Sequence, residues 1–343
     1  MTNTSISTAD VSRSGLSRTI RSWFGVIQSL AVLLLLVLIL SILSPRFMTW
    51  VNISNLMAQM SVLLVVATGM TIVMIAGEID ISVGSVVALT AAVTASVMVV
   101  FGILPALLAG IMTGVCVGLF NGILVSLFRI PSIIVTLATT MMARSLAFVL
   151  TGGNVITDLP PKFLVAGQGK LLDVLGLTES IGIKYLNIPL SFLIALLVYF
   201  FGWFLTARMA FGRKVFAVGA NRNVAMLSGI HVGRTKVICL VIVAVTAAIG
   251  GILLLSRIGG IQADTGRGLE FEVIAAVVIG GTSLAGGSGN VLRTLVGVLI
   301  IVLIRNFLNL SSINIFWQDF ATGGIIILAV LMDTLQKRMS RAG

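Results

Sequence analysis

Two short polar breaks interrupt the apolar runs of this chain, and they hold the residues that could carry chemistry. The first break contains Glu78, Asp80 and Ser82. A carboxylate at the middle of a bilayer costs roughly 2.5–3.5 kcal/mol by insertion scales, so one interpretation is a polar break that lines a path through the membrane. The other is a short cytoplasmic turn in which Asp80 or Ser82 caps the next helix. A proton- or sodium-coupling role would use Glu78 or Asp80.

The second break follows the apolar run at 273–279, in the stretch GLEFEVIAAVVIGGTSLAGGSGN that spans 268–290. An uninterrupted membrane helix needs about 20 apolar residues, and this run is shorter. Glycine-interrupted segments at membrane depth are tolerated where protein or a water-filled cavity lines them. The stretch therefore predicts a short or broken helix beside a translocation path. The gate residues that it contributes are Gly280, Gly281, Thr282 and Ser283.

Nothing in the chain predicts an enzyme. The sequence GTSLAGG at 281–287 superficially resembles a phosphate loop, but it lacks the Lys-Ser/Thr ending. His231 is the only histidine, and Cys116 and Cys239 each lie inside an apolar run, where packing is the expected role. We therefore expect no metal site, no catalytic residue and no cofactor bound by this chain. If transport consumes ATP, another chain hydrolyses it.

A basic segment at 207–235 is the candidate for a contact with another protein. Asn221 or a neighbour is expected to start a short helix through Ala225 and Leu227, and Gly229 is expected to end it. Apolar side chains exposed amid positive charges are typical of a docking element, and an ordinary basic loop is the alternative. The apolar side chains expected on the exposed face are Val224, Met226, Leu227 and Ile230.

A glycine stripe marks one face of the fourth apolar run. Its members recur at every fourth position and are Gly110, Gly114, Gly118 and Gly122. That spacing leaves a smooth helix face and lets another helix approach closely. We expect close packing, either within the subunit or at the seam of a dimer, and the neighbouring Asn121 can form a hydrogen bond across helices.

Composition places all of these features in a membrane protein. Hydrophobic residues make up 58% of the 343 positions and charged residues only 10%, whereas a soluble domain carries about 25% charged residues. The net charge of +11 is concentrated at span ends, as in cytoplasmic loops, so a nucleic-acid partner is not expected. The predicted spans are 23–43, 58–76, 81–101, 104–128, 133–150, 188–206, 237–255, the interrupted segment around 269–290, 291–308 and 315–332.

The fold class predicted from this pattern is an all-α polytopic membrane protein of about ten helices, with interrupted helices and a weak internal repeat. Positive residues flank both ends of the chain and fill the 207–235 segment, which places these parts in the cytoplasm. The loops at 151–187 and 256–272 then fall outside. Residues 1–20 are predicted to be a disordered cytoplasmic arm, 21–335 the transmembrane domain, and 336–343 a cytoplasmic tail.

Four motifs together carry a family resemblance. They are GEIDISVGS at 77–85, TGG at 151–153, FGRKVFAVGANRNVAMLSGI at 211–230 and GRGLEFEVIAAVVIGGTSLAGGSG at 266–289. The chain resembles the membrane permease subunits of ribose-type ABC monosaccharide importers from about its first span to its C-terminus. Family members often carry Gly-Gly-Ile-Asp-Leu where this chain has 77–81, so Glu78 is a departure.

The resemblance implies a set of partners and a location. It implies a second permease subunit, identical or homologous, two cytoplasmic ATP-hydrolysing domains, and a periplasmic or lipid-anchored sugar-binding protein, in a bacterial cytoplasmic (inner) membrane. It also implies that the loop docking on the ATPase contains Gly219, Asn221, Leu227, Ser228 and Gly229. The substrates of relatives are pentoses, hexoses or a furanosyl signalling molecule.

Two functional hypotheses follow. In the first, the chain is the pore-forming subunit of a monosaccharide importer, the ATPases push on Arg222, Ala225 and the residues up to Ile230, and the two breaks open in alternation. In the second, the chain is an ion-coupled secondary transporter that uses Glu78 or Asp80. The few membrane carboxylates and the docking-like segment favour the first.

Overall fold

The computed structural model describes residues 31–176 and 187–314, together with most positions from 316 to 331. This part of the chain is almost entirely helical, and its two isolated β-bridges lie in connections. In chain order, the helices are α1 (Ala31–Leu43), α2 (Trp50–Ile75), α3 (Val83–Phe101), α4 (Ile103–Ser126), α5 (Ser132–Thr151), α6 (Pro161–Gln168), α7 (Leu171–Val174), α8 (Leu190–Ala207), α9 (Ala210–Ala220), α10 (Arg222–Leu227), α11 (Val232–Ile258), α12 (Leu269–Ile279) and α13 (Val291–Leu310).

The prediction of an all-helical membrane fold is confirmed. Within the described residues, seven helices are long and apolar enough to cross a membrane, namely α2, α3, α4, α5, α8, α11 and α13. The count of ten spans stays a prediction, because the first predicted span is described only from residue 31 and the tenth only in part. The predicted arm at 1–20 and the tail at 336–343 lie outside the described residues.

Helix α2 lies at the centre of the bundle. It packs against α8, α11, α12 and α13, and side chains around its whole circumference are buried, among them Leu64, Val65, Val66 and Ala67. A helix that is apolar all round is expected in such a position. Its buried hydroxyls at Ser61, Thr68 and Thr71 each donate a 2.7 Å hydrogen bond to the carbonyl four residues earlier in the same helix.

The glycine stripe of α4 packs mainly against α11 of the same chain. A β-carbon at Gly114 would lie 2.7 Å from Ala248 Cβ, and one at Gly118 would lie 2.6 Å from Val241 Cα. Gly122 faces the Val237 backbone of the same helix, and Gly110 faces the Thr94 hydroxyl of α3. Ala248 Cβ and Val241 Cα cannot rotate out of the way. Helices α4 and α11 can therefore approach this closely only because the stripe carries no side chains. The structure thus shows the packing alternative within the subunit.

Several predicted loops are helical. The basic segment at 207–235 contains α9 and α10 and the start of α11, and the predicted external loop at 151–187 contains α6 and α7. Helix α11 runs from Val232 to Ile258, beyond the predicted span 237–255 at both ends. The boundary was wrong because the apolar count stops at the charged residues Arg234, Lys236 and Arg257, whereas helical hydrogen bonding continues through them.

The outer faces of α4, α5 and α8 expose large apolar side chains. Leu104 is 68% exposed, Met141 75% and Leu197 72%. In a soluble protein such faces would be aggregation-prone; on a membrane bundle they are the surface that meets lipid or another membrane subunit. The interrupted helix α12, by contrast, buries most of its 11 residues.

Candidate functional site

The first polar break is a compact, buried connection between α2 and α3. Gly77 turns the chain with a positive φ of +80°, a conformation that glycine adopts without steric cost. The backbone N–H of Glu78 then donates to the Val73 carbonyl at 3.1 Å. Glu78, Asp80 and Ser82 are all buried, so the first break is packed inside the helix bundle.

Asp80 is held by a small polar network. Its Oδ1 accepts hydrogen bonds from the Ser82 backbone N–H at 2.8 Å and from the Ser82 hydroxyl at 2.5 Å. Ser82 Oγ in turn accepts from the Asn121 amide at 3.3 Å, and Asn121 Oδ1 accepts from the Thr139 hydroxyl at 2.6 Å. The network ties the break to α4 and α5, and the expected cross-helix bond of Asn121 is present. Ser82 precedes α3 but forms no side-chain cap.

Burial of Asp80 leaves one of its oxygens without a partner. Oδ2 has no hydrogen bond to any residue that the structure describes. Burial, only partly opposed by the Ser82 hydrogen bonds, raises the pKa of the Asp80 carboxyl above its ordinary value of 3.8. The group is therefore a restrained, desolvated acid in the connection between two spans.

Glu78 has a different neighbour. Its carboxylate forms a salt bridge with the Lys236 ammonium of α11. The side chains of Glu78 and Lys236 are only 9% and 17% exposed, respectively. Because both charges are largely desolvated, each depends on the other for compensation. Glu78 is thus one member of an ion pair, whereas an ion-coupling site would need a carboxylate that exchanges its partner during transport.

The second break begins where α12 ends. Gly280 ends α12, and a β-carbon there would lie 2.8 Å from Thr294 Cα of α13. Gly281 follows with φ +85°. Thr282 and Ser283 are buried, and the Ser283 N–H donates to the Ser288 carbonyl at 3.0 Å. The break is a tight loop packed on α13, as the glycines and hydroxyls of the sequence indicate.

The two breaks meet at a cluster that we call the glycine junction, formed by Ile75, Gly77, Gly219, Gly286 and Gly287. The Gly287 N–H donates to the Ile75 carbonyl at 2.9 Å. A β-carbon at Gly286 would lie 2.7 Å from Gly77 Cα, and one at Gly219 would collide with the Ile75 carbonyl oxygen. Three backbones therefore touch: the end of α2, the loop after α12 and the end of α9.

The position of Gly219 joins the predicted coupling segment to the predicted gate. Gly219 lies in the last turn of α9, directly before α10. The resemblance placed Gly219 in the docking loop, and the sequence predicted the two breaks as gates that open when the ATPases push on that loop, but it predicted no contact between Gly219 and either break. The contact could not be predicted from the sequence, because the three glycine-containing segments lie far apart along the chain.

Helix α10 has the form expected of the short docking helix. The Asn221 side chain caps it by accepting from the Asn223 and Val224 N–H groups at 3.0 and 3.1 Å. Gly229 has φ +77° just beyond its end, as predicted. Leu227 is 90% exposed, whereas Ala225 is buried. Arg222 and Ser228 are exposed as well.

One side chain on the predicted docking face lies elsewhere. Ile230 is only partly exposed and packs against the small buried cluster of Val218, Ala225 and Val232. Ile230 therefore attaches the end of the segment to this cluster, directly after the turn that Gly229 makes with φ +77°. The exposed apolar face consists of Val224, Met226 and Leu227.

Sequence reasoning also missed charged residues inside the membrane helices. Arg144 of α5 donates from Nη1 to the Ala263 and Thr265 carbonyls at 2.9 and 2.8 Å, and Arg305 of α13 pairs with Glu272 of α12. Both arginines lie within apolar runs, where an ionisable residue is costly and usually functional. The presence of a charged residue inside an apolar run was therefore the signal in the sequence that could have identified Arg144 and Arg305. These contacts fix the connection before α12 and α12 itself to their neighbours.

The comparisons with known proteins agree with this geometry. The chain matches the family described as "Branched-chain amino acid transport system / permease component" over residues 52–330. It is 40% identical to the ribose import permease protein RbsC of Bacillus subtilis (strain 168) over 316 residues, which cover 90% of this chain and 94% of that protein. No solved structure matches it.

Two further relatives show the breadth of the group. The probable ABC transporter permease protein YphD of Escherichia coli (strain K12) is 40% identical over 315 residues, 91% of each chain. The xylose transport system permease protein XylH of Haemophilus influenzae (strain ATCC 51907 / DSM 11121 / KW20 / Rd) is 33% identical over 336 residues, covering 84% of this chain and 90% of that protein.

A bundle of apolar helices with buried polar breaks defines a multi-pass membrane permease. The chain belongs to the family of these permease components, and within it to the permease subunits of ribose-type ABC sugar importers. The resemblance seen in the four motifs is thereby confirmed. The ion-coupled alternative is not favoured, since these relatives are import permeases.

Proposed function

We propose that this chain forms half of the translocation path of a monosaccharide importer in a bacterial cytoplasmic membrane, beside a second permease chain that is identical or homologous. In this proposal, ATP is hydrolysed by separate cytoplasmic ATPase subunits, and the chain itself is not an enzyme. The N- and C-termini face the cytoplasm, as the positive residues near both ends indicate. A periplasmic or lipid-anchored binding protein delivers the sugar to the outer face.

The observation that carries the proposal is the contact of α9 with both polar breaks at the glycine junction. Gly219 packs on the Ile75 carbonyl, and Gly287 donates to that same carbonyl. A displacement of α9 toward these segments would therefore push on the end of α2 and the loop after α12, because backbone groups in direct contact cannot yield as a flexible side chain can. Movement of the docking segment thus reaches Glu78–Ser82 and Gly280–Ser283 directly.

Helix α10 is the proposed contact with the ATPase. Its exposed residues are Val224, Met226 and Leu227, flanked by Arg222 and Asn223. A small apolar patch with a polar rim is a typical protein interface. Because Leu227 is 90% exposed, its side chain contributes little to the fold and is free to enter a pocket of the partner.

The substrate class is a small neutral polyol. The names of the relatives specify ribose and xylose, and the breaks contribute hydroxyls at Ser82, Thr282 and Ser283. On the outer side, the connections at 152–160 and 259–268 are the proposed contacts of the binding protein. They are joined by the antiparallel bridge between Ile156 and Ile261.

The test replaces Leu227 with alanine in the full-length chain and measures co-purification of the ATPase and sugar-stimulated ATP hydrolysis. We expect a decrease in ATPase retention of about ten-fold or more, as for a truncated interface anchor. The matched control is Leu197→Ala, which removes another largely exposed leucine (72%) from the outer face of α8. Retention of the ATPase by Leu227→Ala at the control's level would contradict the assignment of α10.

A further inference from the structure

A basic cavity lies beside the docking helix, where the cytoplasmic ends of α4 and α11 meet. Its volume is about 530 Å³, and its polar lining includes Arg129, Arg222, His231 and Lys236. No acidic residue lines it within the described chain. Lys236 pairs with Glu78 at the inner end, whereas neither Arg129 nor Arg222 forms an ion pair with a described residue. The cavity is therefore electropositive.

The backbone adds to the positive potential of the cavity. Helix α11 begins at Val232, and the preceding His231 makes no side-chain cap. The N–H groups of a first helical turn carry partial positive charge and favour anions. Val232 and Gly233 line the same cavity. Arg129 and Arg222, the paired Lys236 and one helix N-terminus thus line one space, which has room for a phosphate-containing headgroup.

The surroundings of the cavity are apolar on the membrane side. Leu127 and Phe128 lie between the cavity residues Ser126 and Arg129, and they are 73% and 63% exposed. They follow directly on the last turn of the spanning helix α4. Arg129 is thus placed at the end of a span, with apolar side chains toward the hydrocarbon. Basic pockets between helices on the cytoplasmic side are the sites at which anionic lipid headgroups bind.

We propose that this cavity binds the headgroup phosphate of an anionic phospholipid of the cytoplasmic leaflet. The phosphate lies among Arg129, Arg222 and the α11 N-terminus, and an acyl chain covers Leu127 and Phe128. An acidic side chain of the ATPase is the competing occupant, but it would leave these two apolar side chains uncovered. The inference rests on the proposed function, because the orientation given there places the cavity in the inner leaflet.

Bound lipid would contribute to the resting position of the docking segment. Arg222 opens α10, and Lys236 holds Glu78 of the first break. A phosphate between Arg129 and Arg222 would therefore tie the end of α4 to the docking helix. The lipid composition of the membrane would then affect how α10 meets its partner.

The experiment titrates the purified full-length chain with dioleoylphosphatidylglycerol or dioleoylphosphatidylcholine and counts bound lipids by native mass spectrometry. We expect clear preference of the wild-type chain for phosphatidylglycerol. Arg129→Gln should weaken that binding about five-fold, and Arg129→Gln with Arg222→Gln roughly thirty-fold, since a basic residue at the surface of an anionic membrane contributes about one such factor. Arg129→Lys keeps the charge and should retain most of the binding.

The matched control removes two positive charges from α9, at Arg213 and Lys214, both exposed and outside the cavity. The Arg213→Gln, Lys214→Gln chain should bind phosphatidylglycerol like wild type. Equal weakening of phosphatidylglycerol binding in the two double variants would overturn the site. Equal binding of the two lipids by the wild-type chain would also overturn it, and this result does not depend on any variant. Displacement of the lipid by millimolar inorganic phosphate, or by the ATPase, would assign the cavity to a free anion or to a protein contact instead.

The outcome is separable from that of the proposed function. Loss of lipid preference with normal ATPase retention would overturn the lipid site alone. If the wild-type chain prefers phosphatidylglycerol but Leu227→Ala retains the ATPase at the control's level, only the docking assignment is overturned.

Discussion

The carboxylate of Glu78 is paired with the ammonium of Lys236, which lies 158 residues further along the chain. Glu78 belongs to the first polar break, and Lys236 lies in the early turns of α11, just after the docking segment. The Glu78 charge thus has a partner on another helix. The pair forms a second contact with the first predicted break, made by the helix that follows the predicted docking segment, in addition to the glycine junction.

Removal of one member of this pair should destabilise the protein. Because both side chains are largely buried, Glu78→Ala or Lys236→Ala leaves an uncompensated charge, which costs about 3–5 kcal/mol. The double variant should lose less than the sum of the two single losses. Thermal unfolding of the four chains in detergent measures the difference, and Asp158→Asn, an exposed acid, is the control. Strictly additive losses would mean that the pair contributes nothing.

A side chain at Gly219 should disrupt coupling. The β-carbon of Gly219→Ala would collide with the Ile75 carbonyl oxygen and lie 2.6 Å from the Gly287 nitrogen, so the ends of α2 and α9 must separate. Overpacking of this kind costs about 1–3 kcal/mol of stability, and because the strain falls on the contact between the two ends, we expect sugar-stimulated ATP hydrolysis to fall by roughly ten-fold or more. Gly324→Ala is the matched control, since nothing lies within 4 Å of a β-carbon there. Equal activity of the two variants would refute the junction.

The glycine stripe makes a prediction about stability. In Gly118→Ala, the new β-carbon would lie 2.6 Å from Val241 Cα and 2.9 Å from the Leu240 carbonyl oxygen. Because both atoms belong to the α11 backbone, α4 must move outward, and we expect a loss of about 1–3 kcal/mol in unfolding free energy. Met112→Leu, on the exposed face of α4, should be neutral. Thermal unfolding in detergent checks both, and an unchanged Gly118→Ala would mean that the helices are not in close contact.

Asp80 should make stability depend on pH. Because burial raises the pKa of this carboxyl above 3.8, the folded protein holds the proton more tightly than the unfolded chain. The free energy of unfolding therefore falls as pH rises from the unfolded pKa through the raised one. Asp80→Asn keeps an acceptor oxygen for Ser82 and removes this dependence. Unfolding temperatures across the acidic range test it, with Asp158→Asn as the control. The same slope in Asp80→Asn and wild type would contradict the burial argument.

Much of the bundle followed from the sequence. Long apolar runs predict spans because lipid offers no hydrogen bonds to the backbone, and the confirmed helices α3, α5 and α8 lie within a few residues of the prediction. The docking helix was also predictable, since Asn221 and Gly229 are a local cap and a local stop. The apolar spans and the ends of α10 are determined by residues that are neighbours in the sequence, so they can be predicted without knowing which helices pack together.

The assembly of the site was not predictable in the same way. The pairing of Glu78 with Lys236, and the contact of Gly219 with Ile75, depend on which helices pack together. A glycine indicates that something approaches closely, but it does not identify the partner. Helix α11 was underestimated for a different reason: the apolar count stopped at Arg234, Lys236 and Arg257, although lysine and arginine are good helix formers and the helix continues through them.

The burial of α2 has a consequence for biogenesis. Helices α8, α11, α12 and α13, which enclose it, are synthesised after it, so the newly inserted α2 must stay in the bilayer before they arrive. Its hydroxyls at Ser61, Thr68 and Thr71 already bond to carbonyls of their own helix and need no later partner. These three hydroxyls therefore stay satisfied while α2 waits in the bilayer, whereas the hydrogen bonds between the side chains of Asn52 and Asn306 form only when α13 arrives.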